Sequence, residues 1–242
     1  MRISVAQLQT MIGDIGKNLA KHLVLLDAAI AQQADLVFFP ELSLTGYEPK
    51  LAENLAVDSK DSRLAVLQNA ADRERIVIGV GLPTRSSVGV RISMILLQPH
   101  QSPLTYSKQQ LHADERPFFV QGADQVILRT AHHVIAPAIC YESLQTSHVE
   151  SAARAGVDVY LASVAKPARL IEKAYAHYSN IARLYSMTVF MANAVGRCDD
   201  FVGAGRSAIW NRQGVLVAEL GEDSEGILLF DTVTEDRCAM LI

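Results

Sequence analysis

The chain has 242 residues, of which 50% are hydrophobic, 20% charged and 6% aromatic. Its 22 Lys and Arg against 26 Asp and Glu leave a net charge of −4, so it carries no basic footprint for nucleic acid. The composition also excludes a disordered chain, a collagen and a disulfide-stapled mini-protein, and the expected partner is a small molecule.

In chain order, the opening segment MRISVAQLQT lacks the apolar core of a signal peptide, and Ile3, Val5 and Leu8 start a strand. Leu19, Leu23, Leu26 and Ile30 share one face of a helix, and a strand follows at Asp35–Phe39. Ser62–Arg75 reads as a second amphipathic helix. Strands at Ile76–Val80 and Arg91–Gln98 come next, joined by a Gly/Ser-rich turn at Ser86–Gly89. The second half reads as strands Gln125–Arg129 and Val134–Cys140, a helix Thr146–Ala155 ended by Gly156, and a strand Val157–Ala162. A long helix Leu170–Tyr185 and a strand Thr188–Asn193 follow. Ser207–Asn211, Val215–Glu219 and Ile227–Asp231 read as a closing β-meander with Gln213-Gly214 at its turn.

No linker, repeat or composition shift divides residues 1–242, which read as one domain. Strands with helices between them imply a layered α/β or α+β protein. The apolar runs Val37–Phe39, Val134–Cys140 and Val157–Ala162 suggest strands covered on both faces. No run approaches the ~20 residues of a spanning helix, so no membrane partner is expected. Cys140, Cys198 and Cys238 show neither CxxC nor Cys/His metal spacing, which fits a reducing cytoplasm. His132-His133 is read as a strand or turn pair with no special role, because strand neighbours face opposite ways. Trp210, Tyr175, Tyr178 and Tyr185 read as packing or interface residues, and Tyr178 with Tyr185 shares a helical face that would suit a dimer contact.

Three segments could carry chemistry. In FFPELSLTGY, Glu41 follows a buried strand and a proline, where burial would raise a carboxyl pKa into the range of a useful base; alone, the segment more often marks a capping or surface glutamate. In TYSKQQLHADERPFF, Lys108 lies beyond a strand and a Pro-bearing turn, with Glu115 further on. A lone lysine is usually solvated, so this one matters only if it meets a carboxylate and a thiol. In IAPAICYES, Cys140 ends an apolar strand, where a sulfur can be exposed and the next backbone N–H can help hold an oxyanion. A buried structural cysteine would also fit there.

Taken in order, FPELSLTGY, YSKQQLHADERPFF and AICYES resemble the glutamate, lysine and cysteine motifs of the nitrilase, or carbon–nitrogen hydrolase, superfamily. Weaker echoes lie at Gln7, Asn18, Gly156-Val-Asp158, Asn193-Ala-Val-Gly196 and Ser207. The resemblance implies a four-layer α-β-β-α sandwich, commonly assembled into dimers or larger homo-oligomers. It implies Glu41 as general base and Cys140 as the nucleophile that forms a thioester with a small amide. Lys108, with the backbone N–H of Tyr141, would stabilise the oxyanion, and Glu115 would help position Lys108 and substrate. Tyr47, Tyr141, Glu142 and Lys166 are the candidate substrate-binding residues. No metal or organic cofactor is implied.

No arginine follows the cysteine in Cys140-Tyr-Glu-Ser-Leu-Gln-Thr-Ser-His148, so the grip on a substrate carboxylate that some branches place there is not expected. SVAKPAR (Ser163–Arg169) offers Lys166 and Arg169 instead, although charges in such a loop are more often simply solvated. A small amidase is expected over a nitrilase. Rival readings are a non-catalytic or acyl-transferring protein on the same scaffold, and a papain-like hydrolase built on Cys140, His177 and Asn193. His177 sits in the expected Leu170–Tyr185 helix, which favours a packing role.

Overall fold

The computed structural model describes residues 1–58 and 61–242. The first half runs β1 (Arg2–Gln7), α1 (Ile15–Ala31), β2 (Leu36–Phe38), α2 (Ala52–Leu55), α3 (Ala65–Glu74), β3 (Val77–Ser86), β4 (Gly89–Leu97) and β5 (Leu104–Ser107). The second runs β6 (Leu128–Arg129), β7 (Val134–Ile139), α4 (Thr146–Arg154), β8 (Val159–Val164), α5 (Ala168–Tyr185) and β9 (Thr188–Asn193). The strands β10 (Val195–Cys198), β11 (Phe201–Ala204), β12 (Ala208–Trp210), β13 (Leu216–Glu219), β14 (Gly226–Asp231) and β15 (Arg237–Leu241) close the chain.

Two mixed sheets result, in the orders β15-β14-β1-β2-β3-β4-β5 and β13-β12-β9-β8-β7-β6. Strand side chains alternate between faces, and each central strand feeds two cores. Ile3, Val5, Leu36, Phe38, Ile135, Ile139, Leu161 and Phe190 meet between the sheets. Ala6, Val37, Phe39, Ile78 and Val80 face outward against Leu25, Leu26 and Ala29 of α1 and Leu67 and Ala71 of α3. On the other side, Ala136, Ala138 and Tyr160 face Val149 of α4 and Ile171 and Tyr178 of α5. That is the expected four-layer α-β-β-α sandwich. It also explains why the central strands read as unbroken apolar runs.

Several local readings change. The closing strands are not a meander: β13 stays in the second sheet, whereas β14 crosses to pair antiparallel with β1 and with β15. β5, β15 and the β10–β11 hairpin were not anticipated, since each is short and polar or Gly-rich. The Ser62–Arg75 helix opens with a 3-10 turn at Ser62–Leu64 and closes on Arg75 in the left-handed region at φ 57°. The 125–129 strand shortens to β6. On α1 the buried face holds Asn18, His22, Leu25, Leu26 and Ala29, leaving Leu19, Leu23 and Ile30 on its flanks. Tyr178 cannot be a dimer contact, because it is fully buried against Trp210. His133 does have a role: buried in a turn, its ring bonds Asp158 at 2.8 Å and Thr232 at 2.8 Å, tying the two sheets together.

Candidate active site

Four strand ends converge at one edge of the sandwich. Open α/β sheets place ligand crevices at the carboxyl ends of parallel strands, and β1, β2 and β3 run parallel in one sheet while β7, β8 and β9 do so in the other. Glu41 follows β2, Lys108 follows β5, Cys140 follows β7 and Lys166 follows β8. The site therefore exists only where the two sheets are stacked.

Glu41 is held by backbone on both sides. Phe39 N–H donates to Gly79 O at 2.9 Å and Leu44 N–H to Gly81 O at 2.9 Å. Gly81 is required there, since a Cβ would lie 2.5 Å from Leu42 N and 2.7 Å from Pro40 O. Ser163 Oγ donates to Phe39 O at 2.8 Å from the opposite sheet. Beneath the turn, His22 Nε2 meets Ser43 Oγ at 2.9 Å, and the Asn18 amide donates to Leu44 O at 3.0 Å. Neither His22 nor Ser43 was singled out from sequence, because their partnership forms only after α1 docks.

Lys108 is buried, and its ammonium donates to Glu41 Oε1 at 2.8 Å and to Glu115 Oε1 at 2.6 Å. Glu115 also accepts from Tyr47 OH at 3.0 Å and from His112 N–H at 2.8 Å. Burial raises the Glu41 carboxyl; Lys108 pulls it back and Glu115 pushes it further up, to about 7. Burial opposes the charge on Lys108, but the two carboxylates hold its pKa well above the usual lysine value. Among the described residues Glu41 Oε2 meets the distance and angle of no hydrogen bond, and the Cys140 thiol is close enough to interact with the carboxylate.

Cys140 opens a 3-10 turn over Cys140–Leu144 with φ at 47°. A non-glycine residue in that region is strained and is held by its surroundings. Its Sγ lies 3.7 Å from Ala165 O and 3.8 Å from Lys166 Nζ. Burial, reinforced by Glu41, pushes the thiol up to about 11, against the pull of Lys166 and Lys108. Burial thus favours the protonated thiol, which stands beside the Glu41 carboxyl.

Glu142 takes a different place from the one expected. It is fully buried, and its carboxylate accepts from Ile139 N–H at 2.7 Å, Tyr106 OH, Gln109 N–H at 2.6 Å and Gln110 N–H at 3.1 Å. It joins the cysteine turn to the lysine loop, and Tyr106 continues the chain to His148 Nε2 at 2.9 Å and on to Tyr160. Tyr141 is half-buried and packs edge-on to His112. His177 meets Ser143 O at 3.1 Å. Asn193 spends its amide on Lys166 O and Gly205 O, so no Cys–His–Asn arrangement is assembled. Ser207 and Gln7 extend this brace, Ser207 N–H donating to Gln7 Oε1 at 2.8 Å. A surface concavity of about 550 Å³ beside Gly13, Leu51 and Arg63 contains none of these groups. Among the described residues, no cluster of three or more His, Cys, Asp or Glu could hold a metal ion, and no helix is long and apolar enough to cross a membrane.

The family model described as carbon-nitrogen hydrolase matches residues 2–237. Among solved structures, the NitN amidase of Nesterenkonia sp. AN1 superposes with a TM-score of 0.87 at 25% identity, covering 96% of this chain and 92% of that one. A variant of that amidase carries acrylamide added to its active-site cysteine. Among curated relatives, a glutamine-dependent NAD(+) synthetase of Aquifex aeolicus is 25% identical over 98% of this chain but only 42% of its own length. A probable nitrilase of Schizosaccharomyces pombe is 22% identical over 97% of this chain and 89% of its own. The chain thus spans less than half the length of the synthetases it matches.

Proposed function

The chain belongs to the carbon–nitrogen hydrolase family, and from that premise we propose that it hydrolyses a small amide through a thioester on Cys140. The observation that carries this reading is the buried Lys108 bridging Glu41 and Glu115, with the Cys140 thiol beside the Glu41 carboxylate.

The thiol gives its proton to Glu41 as Sγ attacks the amide carbon, which avoids forming a free thiolate from a group pushed up to about 11. The oxyanion that develops is met by the Lys108 ammonium and the N–H of Tyr141, donors already fixed in a water-poor site. Glu41 then passes the proton to the leaving nitrogen, and ammonia or an amine departs. Water, deprotonated by the same carboxylate, attacks the thioester carbon; the C–S bond breaks, the acid departs and Glu41 returns the proton to Sγ. Glu115 holds Lys108 and, through Tyr47, the pocket wall.

Ammonia release from short amides, L-glutamine, nitriles and N-carbamoyl compounds tests this. Turnover of an amide is expected in the wild type. Cys140→Ala should abolish it, and Lys108→Ala should lower it by about 100-fold or more. Undiminished turnover in both variants would remove the assignment.

A further inference from the structure

We propose that Lys166 binds a substrate anion, so that the substrate is a short amide bearing a carboxylate close to the carbonyl that Cys140 attacks. This rests on the amidase reading and narrows its substrate class.

β7 and β8 are adjacent and parallel, with Ile139 opposite Ser163, so the chain leaves both strands side by side and sets Lys166 next to Cys140. Its backbone is clamped: Lys166 N–H donates to Asn193 Oδ1 at 2.8 Å, and Lys166 O accepts from Asn193 Nδ2 at 3.2 Å and Ala204 N–H at 2.9 Å. The residue is only 2% exposed, yet among the described residues the one polar contact of its ammonium is the thiol sulfur at 3.8 Å.

An ammonium carries three donors and a thiol sulfur is a weak acceptor. A buried cation without a counter-ion is costly. The other buried lysine of the site, Lys108, has two carboxylates, and both Glu41 and Glu115 present Oε1 to it. No carboxylate among the described residues forms an ion pair with Lys166. The helix α5 begins two residues later, and its first turn has neither an acidic residue nor a side-chain cap, which adds partial positive charge at that end. Donors in want of an acceptor, inside the site and beside the nucleophile, suit an anion brought by the substrate. Because the ammonium is so near the sulfur, that anion must lie close to the reacting carbonyl, as in malonamate.

Two readouts test this. The first compares kcat/KM for malonamate with malonamide and succinamate with succinamide in the wild type, Lys166→Met and Lys166→Arg. The wild type should favour the charged member of a pair by about tenfold or more. Lys166→Met should erase that preference through loss on the charged member, and Lys166→Arg should retain part of it. The second needs no turnover: alkylation of Cys140 by iodoacetate against iodoacetamide, followed by intact mass. Lys166→Met should lower the iodoacetate-to-iodoacetamide rate ratio by about tenfold. Equal falls with both reagents would overturn the proposal and make Lys166 a partner of the sulfur alone. Hydrolysis of neutral amides with no charge preference would overturn it while leaving the amidase reading intact. Selectivity for iodoacetate with no amide hydrolysed would support the anion site and count against the amidase reading.

Discussion

Glu41 owes its proposed chemistry to burial. An exposed glutamate would be fully ionised and a weak base at neutral pH; held at about 7 by burial, with Lys108 and Glu115 pulling in opposite directions, it can both take and return a proton. The acid limb of kcat/KM should therefore have its midpoint near 7, activity falling as pH drops because the protonated carboxyl cannot accept the thiol proton. Glu41→Gln should cost about 100-fold or more, and the pH–rate profile of any residual activity should lose that limb. Glu41, Lys108 and Cys140, which the structure brings together, stand out in the sequence because each sits in a distinctive segment close to the end of a strand. Glu142 was misplaced because Cys140-Tyr-Glu reads as a polar run facing substrate, whereas the 3-10 turn rotates it onto Tyr106 and the amides of Gln109 and Gln110.

At the scale of elements, the site depends on how closely loops are seated on strands. Gly81→Ala would drive a methyl group into the backbone of Pro40 and Leu42, which cannot yield as a flexible side chain can. It should lower stability by about 2 kcal/mol and cost activity by moving Glu41, whereas Gly16→Ala, whose new Cβ meets only Asp14 at 3.6 Å, should do neither. Urea unfolding and ammonia release on both variants check this. Glu142→Gln replaces one acceptor oxygen by a donor among groups that are themselves donors. It should cost about 2 kcal/mol or more, visible as a lower urea midpoint. Long elements such as α1, α5, β7 and β9 were legible from periodicity, their ends shifting by a few residues or none. The face of α1 was not, because Asn18 and His22 are buried for the sake of the Glu41 turn, and polar residues give a hydrophobic pattern no signal. β14 was misassigned to a meander because sequence order favours neighbours, while its apolar face was needed beside β1.

For the whole molecule, docking the helices α1 and α4 on the sheets buries histidines that must stay neutral. Burial lowers His22 and His148 to about 4 from 6.5. The unfolded chain takes up protons on these rings below about 6.5 and the folded one only near 4, so stability is lost as pH falls through that window, by up to about 3 kcal/mol per ring. Glu41 acts oppositely: the folded state gains its proton near 7 and the unfolded near 4.5, which adds stability over that fall. Urea unfolding at pH 7 and 4.5 should show a net loss in the wild type and a larger loss in Glu41→Gln.

The sandwich was foreseeable from the alternation of strands and helices together with the three motifs, but the contact between Cys140 and Lys166 required the register of β7 on β8. The proposed chemistry bonds the amide carbon to Cys140. Its most direct test is the intact mass of the protein, acid-quenched during turnover of whichever amide releases most ammonia, with peptide mapping of any adduct. One acyl group is expected on the Cys140 peptide, appearing with ammonia and absent from Cys140→Ala. Ammonia released at the wild-type rate by Cys140→Ala, or an acyl group mapped to another residue, would contradict it.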